Sequence, residues 1–113
     1  MKKETISITI ELDDSKVPSR LTWDSSDNPK GKKNEEAKAF LLSIFSKEKL
    51  ETLKIDLWTK EMQVSEMDRL FYNTLKGLAE TYKKATHNND LASDMDRFAQ
   101  YFGEEVDILP RSP

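Results

Sequence analysis

Leu53-Lys54-Ile55-Asp56-Leu57-Trp58 is a short alternating run, and a few residues on it gives way to a long run of helical period that ends near Thr86. Successive side chains on a strand point to opposite faces, so the alternation of Leu53, Ile55 and Leu57 with polar neighbours reads as a half-buried strand. The change of period marks where a sheet ends and the helices that cover it begin. Strands first and helices after predict an α+β layer arrangement.

Toward the N-terminus, residues 5–12 place Ile6, Ile8, Ile10 and Leu12 on one side and Ser7, Thr9 and Glu11 on the other, the pattern of an antiparallel strand with one wet face. Asp13 to Val17 supplies turn formers, and Pro18 has no N–H to donate to a ladder, so the chain reverses there. A second strand is expected over Ser19 to Trp23. From Asp24 to Asn34 the composition turns polar, without one apolar side chain to bury, and predicts a flexible surface loop. Asp24, Asp27 and Asn28 offer oxygens of the kind calcium takes, but not at EF-hand spacing, and an Asx-rich turn accounts for them. The densest basic cluster, Lys30-Gly31-Lys32-Lys33, runs straight into Glu35 and Glu36, which suits a solvated loop better than a phosphate or RNA contact.

Residues 35–51 admit two readings. Asn34 as a cap with Glu35 and Glu36 in a first turn would start a helix carrying Phe40, Leu41, Ile44 and Phe45. Alternatively, Phe40, Leu42 and Ile44 alternate with Leu41, Ser43 and Phe45, and Ser46 to Lys49 is a connection of hairpin length before Leu53. The hairpin is favoured, because a strand as apolar as Leu53 to Trp58 needs a paired neighbour.

Toward the C-terminus, Ser65 is expected as an N-cap with Asp68 at the capping-box position, opening a helix from about Glu66 to Thr86. Met67, Leu70, Phe71, Thr74, Leu75, Leu78, Tyr82 and Ala85 form its apolar stripe. Gly77 inside it costs about 1 kcal/mol relative to alanine unless close packing requires it. His87 to Asp90 ends this helix and caps a second, with Leu91, Met95, Phe98 and Phe102 at helical spacing and Gly103 near its end. The short connection makes the two helices antiparallel neighbours. Ile108 and Leu109 are expected to dock before the tail, 107–113, frays. The sum is one domain over residues 1–113: a four-stranded antiparallel sheet of two hairpins, with two C-terminal antiparallel helices packed on one face.

The 113 residues carry 21 acidic and 18 basic side chains, interspersed, and no cysteine. The charge distribution makes a solvated surface and disfavours a nucleic-acid groove. Without cysteine there is no disulfide, thiolate metal site or cysteine nucleophile. The N-terminal alternation is broken by hydroxyls and too short for a signal-peptide apolar region, and no stretch has transmembrane length, so a soluble, cytoplasmic protein is expected.

No catalytic, cofactor-binding or metal residue is assigned. His87 lies in a polar helix-end turn, where a helix dipole alone can account for an imidazole. Asp56 could share a site with Asp13, Asp14 or Glu11, but a solvated carboxylate on an open sheet face explains it more simply. Asp94-Met95-Asp96-Arg97 reads as first-turn acids and an exposed helix face. The sheet's second face is more informative. With Phe40, Leu42, Ile44, Leu53, Ile55 and Leu57 turned to the helices, Leu41, Phe45 and Trp58 turn away beside Lys54 and Asp56, a surface suited to protein association.

The segments Leu41-Leu42-Ser43-Ile44, Glu51 through Met62, and Glu66-Met67 with Phe71, Thr74-Leu75, Ala79 and Ala85-Thr86 together resemble the gliding motility-associated GldC family of the Bacteroidota. The likeness extends to Val17-Pro18 with Trp23 and to Phe98-Ala99 with Phe102. It implies a non-enzymatic cytoplasmic accessory protein connected with surface gliding and the envelope machinery that moves adhesins. Protein partners among gliding components are expected with it; the outer sheet face allows a homodimer, and the interspersed charges and lack of a transmembrane-length stretch speak against nucleic acid and membrane insertion. Two other readings stand beside it: a ligand-binding or enzymatic pocket between sheet and helices near Tyr72, Tyr82 or Trp23, and a holdase, since sheet-plus-two-helix subunits resemble those of the export chaperone SecB.

Overall fold

The computed structural model describes residues 2–27 and 34–111; the lysine cluster at 30–33, Asn28 and the last two residues of the tail lie outside them. The elements in order are β1 (Ile6–Leu12), β2 (Pro18–Ser25), β3 (Glu35–Ala37), β4 (Ala39–Phe45), β5 (Thr52–Trp58), α1 (Val64–Thr86) and α2 (Asn89–Glu105). The strands belong to one compact unit, Met1–Met62, and the helices to another, Gln63–Pro113.

All strand pairs are antiparallel, but the hydrogen bonding makes two sheets rather than the single four-stranded one expected: β1-β2-β3 and β4-β5. Residues 35–45 are extended, which settles the helix-or-strand question, yet they form two strands separated by Lys38 alone. β3 pairs with β2, Leu21 opposite Ala37 and Trp23 opposite Glu35, whereas β4 pairs with β5. A twisted segment with different partners along its length bends where it changes them, and Lys38 takes up that bend. The Thr59 N–H still donates to the Lys38 carbonyl at 2.8 Å, so the β4–β5 ladder runs up to the corner.

In the first sheet Ile6, Ile8 and Ile10 oppose Ser25, Trp23 and Leu21, which gathers the apolar side chains on one face. Leu21, 1% exposed, is its fully buried centre, whereas Ile6 is 74% exposed. The other face is polar: Arg20 reaches Glu36 at 3.1 Å and Glu11 at 3.8 Å. The β1–β2 turn is built on Asp13, whose Oδ1 accepts the N–H groups of Ser15 (2.8 Å) and Val17 (3.0 Å). Lys16 takes the left-handed conformation there, φ 60°.

In the helical unit, α1 is capped two residues earlier than expected. Gln63, not Ser65, is the N-cap, and the Glu66 carboxylate rather than Asp68 accepts the cap N–H at 3.0 Å. The chain enters the helix sooner because Gln63 and Glu66 already satisfy the three-residue spacing of the box. His87 closes α1 in the left-handed conformation, donating its N–H to the Lys83 carbonyl, and the Asn88 side chain caps α2 by accepting from Leu91 at 3.1 Å. The buried residues of the two helices are small: Ala79, Ala92, Ala99 and Gly103. Small side chains let helix backbones approach closely, and Lys76 bridges to Asp96 across the pair at 2.8 Å. Phe71 and Leu78, placed in the α1 stripe by spacing, are instead exposed. Beyond α2 the Ile108 and Leu109 N–H groups donate to the Gly103 carbonyl at 2.9 and 3.0 Å, so the tail is tied down through Leu109.

Candidate protein-interaction surface

The β4–β5 hairpin closes through Ser46, whose N–H donates to the Glu51 carbonyl at 2.8 Å. The turn is completed by Leu50 in the left-handed conformation, φ 55°. Its register sets Leu41 opposite Asp56, Ser43 opposite Lys54, Phe45 opposite Thr52 and Ala39 opposite Trp58. Directly opposed residues share a face, so Leu41, Phe45, Lys54, Asp56 and Trp58 stand together on one side of the hairpin. Phe40, Leu42, Ile44, Leu53, Ile55 and Leu57 stand on the other.

On the first of these faces Phe45 is 65% and Trp58 54% exposed. Leu41 is half-buried. Lys54 forms an ion pair with Asp56 Oδ2, two residues along the strand and on the same face. Asp56 Oδ1 is buried and makes no hydrogen bond among the described residues. An acceptor of that kind costs roughly 1–3 kcal/mol while it lacks a donor, and a partner that brings an N–H or ammonium group recovers the difference. Trp58, Leu57 and Asp56 line a depression of about 240 Å³ with Val17 and Pro18.

In the sequence Val17 and Pro18 read as turn formers and as part of the family likeness; nothing there set them beside Trp58. Of the carboxylates considered with Asp56, Asp13 and Glu11 are engaged elsewhere. Asp13 Oδ2 lies 2.7 Å from Lys60 Nζ, and the hydrogen bond from Lys60, with those from the Val17 and Ser15 N–H groups, holds the Asp13 carboxyl below its ordinary range. Glu11 faces Arg20. Asp94 pairs with Arg97 one turn along α2.

Asp24 accepts from the Ser25 N–H at 2.9 Å and Asp27 donates its N–H to Ser25 Oγ at 3.3 Å, local turn bonds of the Asx and hydroxyl type. No group of three or more His, Asp or Glu side chains able to hold a metal is gathered among the described residues. No helix among them is long and apolar enough to cross a membrane. Trp23 lies on the apolar face of the first sheet opposite Ile8, and Tyr72 packs against Gly103.

This face of the hairpin carries two exposed aromatic side chains, an ion pair between them, and a buried carboxylate oxygen without a hydrogen bond on the same side as the indole. Comparison with known proteins gives one finding. A family model described as gliding motility-associated protein GldC-like matches residues 18–108. No match was found among curated proteins or among solved structures.

Proposed function

Because the chain belongs to the GldC-like family of gliding motility-associated proteins, we propose that it is a non-enzymatic, cytoplasmic accessory protein of gliding that works by binding a protein partner through the face of the β4–β5 hairpin bearing Trp58. The observation that carries this reading is the company Trp58 keeps. An exposed tryptophan beside Leu41 and a carboxylate oxygen without a donor, with Phe45 at the far end of the same face, has the composition of a binding hot spot. Aromatic area would supply most of the affinity. The Lys54–Asp56 pair would set orientation, with a donor from the partner reaching Oδ1.

The test is complementation of motility in a gliding bacterium that lacks this chain. Trp58→Ala is expected to accumulate to the normal level and, when purified, to keep its circular dichroism and unfolding midpoint, while colony spreading falls to that of the deletion strain. Full spreading with Trp58→Ala and Phe45→Ala together would dispose of the proposal. So would a Trp58→Ala chain that is unfolded, since the indole would then be serving the core.

A further inference from the structure

β1 is the edge of its sheet, and its backbone says which residues face the open side. The Thr5 carbonyl accepts from the Ser26 N–H at 3.0 Å. In an antiparallel ladder alternate residues direct both backbone groups to the same neighbour, so Thr5, Ser7, Thr9 and Glu11 serve β2. Ile6, Ile8 and Ile10 therefore direct their N–H and C=O groups outward, and all three side chains are exposed.

Natural sheets blunt such an edge with lysine, proline, an inward charge or a bulge. From Ile6 to Ile10 β1 has none of these; its only irregularity falls at Glu11/Leu12. β5, by contrast, interposes Lys54 and Asp56. A free edge that is apolar on one face and uncharged along its middle is built to be paired.

We propose that β1 pairs with β1 of a second copy, antiparallel, about a two-fold axis at Ile8, so that two three-stranded sheets become one continuous sheet. The register follows from the sequence. Ile8 then opposes the partner's Ile8 and Ile6 opposes the partner's Ile10. Every outward backbone group of the three isoleucines finds its complement, and the apolar faces run on without a break. Beyond the strand ends, the Lys2–Lys3 pair approaches the partner's β1–β2 turn, where Asp14 offers a charge of opposite sign and Asp13 is already held by Lys60.

The neighbouring registers that keep the faces aligned do worse. Centring on Thr9 sets Ile6 against Leu12, at the irregularity of the ladder, and draws Glu4 toward the partner's acidic turn, a meeting of like charges. Centring on Ser7 sets Glu4 against Ile10 and Lys2 against Leu12 on the apolar face. The contact is isologous and closes on itself, giving a dimer and not a fibre. It does not depend on the Trp58 face and leaves that face available.

The chain has no cysteine of its own, so single cysteines report the register directly. Opposed Cα atoms in such a pair lie about 5.5 Å apart, within disulfide reach. Sedimentation across concentration should show a dimer for the wild-type chain. Under mild oxidation Ile8→Cys should form a covalent dimer. Ile6→Cys alone should not, because the two Ile6 sites would be about 14 Å apart, whereas Ile6→Cys mixed with Ile10→Cys should.

Should Ile8→Cys fold poorly, exposed charges carry the same test. Asp14→Lys is expected to weaken the dimer about tenfold, and Lys2→Asp in the same chain to restore it. A monomer at all concentrations, an open-ended series of assemblies, or cross-linking without preference for Ile8 would overturn the proposal. A dimer that Trp58→Ala dissolves, with no Ile8→Cys cross-link, would place self-association on the β4–β5 face and also overturn it. Loss of motility in Trp58→Ala with the Ile8→Cys cross-link intact would leave the β1 dimer standing.

Discussion

Gly103 of α2 lies flat against the ring of Tyr72 of α1: a β-carbon on Gly103 would stand 2.7 Å from Tyr72 Cε1 and 2.9 Å from Leu109 Cδ1. Gly77, the other glycine within a helix, has nothing within 4 Å of the same construction. Glycine in a helix costs about 1 kcal/mol relative to alanine, so the two sites should respond with opposite sign. Gly77→Ala is expected to raise stability by about 0.5–1 kcal/mol. Gly103→Ala is expected to lower it by about 1–3 kcal/mol, because overpacking against an aromatic ring outweighs the gain in helix propensity. Urea titration of both variants decides it, and a Gly103→Ala chain as stable as the wild type would mean that Tyr72 can swing aside.

Those glycines also mark the limit of what the sequence disclosed. The strands of both hairpins, their turns and the face shared by Leu41, Phe45, Lys54, Asp56 and Trp58 were all legible, since alternation fixes face and turn residues fix where the chain reverses. The helix pair was legible in number and order but not in its contact. A search for large apolar side chains at helical spacing selects Phe71 and Leu78, which are exposed, and passes over Ala79, Ala92, Ala99 and Gly103, whose value lies in being small. The change of sheet at Lys38 was hidden for another reason: Glu35 and Glu36 have no strand preference of their own, and only the ladder offered by Leu21 and Trp23 draws them in. The depression beside Trp58 needs Val17 and Pro18, brought there by tertiary structure.

Asp13 makes the β1–β2 turn sensitive to acid. Its carboxyl is held below the ordinary carboxylate range, chiefly by the hydrogen bond from Lys60 and then by the Val17 N–H. A carboxyl lowered in the folded state stabilises that state fully above the ordinary range, and the contribution is lost as pH falls through the lowered value. Asp13→Asn keeps an oxygen for the Ser15 and Val17 N–H groups and loses only the charge facing Lys60. The wild-type melting temperature should exceed that of Asp13→Asn near neutrality and converge with it in acid, as pH falls through the lowered value and the carboxyl becomes protonated. Curves separated by the same interval at every pH would show that the charge has no part in it.

Lys76 gives the opposite dependence in the helical unit. The hydrogen bond to Asp96 raises the ammonium above the ordinary lysine range, against a smaller opposing effect of burial. A base raised in the folded state contributes fully below its ordinary range and loses that contribution as pH rises through the raised value. With side-chain exposures of 33% and 51%, the pair is largely solvated, so Asp96→Asn should cost only about 0.2–1 kcal/mol at neutral pH, and less at high salt. Unfolding in low and high sodium chloride provides the check; a cost independent of salt would assign the effect to packing of the Lys76 stem.

Leu50, His87 and Asp107 adopt left-handed backbone conformations, with φ of 55°, 59° and 61°, whereas neither described helix glycine has a positive φ. For an ordinary L-residue that conformation costs about 1–2 kcal/mol, and asparagine and aspartate bear it best because their short side chains bond locally. The gains from glycine should therefore be ranked. Leu50 is 70% exposed, so its side chain offers little in return for the strain, and Leu50→Gly should stabilise most, by about 1 kcal/mol after the added freedom of the unfolded chain is subtracted. His87→Gly should follow, since the His87 N–H to Lys83 carbonyl bond closing α1 is made by backbone and survives the change. Asp107→Gly should gain least: Asp107 already suits the conformation, and its N–H to the Glu104 carbonyl, with the Ile108 N–H to the Gly103 carbonyl, completes a helix-ending motif that tolerates aspartate. Melting temperatures of the three variants test the order, and a larger rise for Asp107→Gly than for Leu50→Gly would refute it, placing a stabilising contact on the Leu50 side chain.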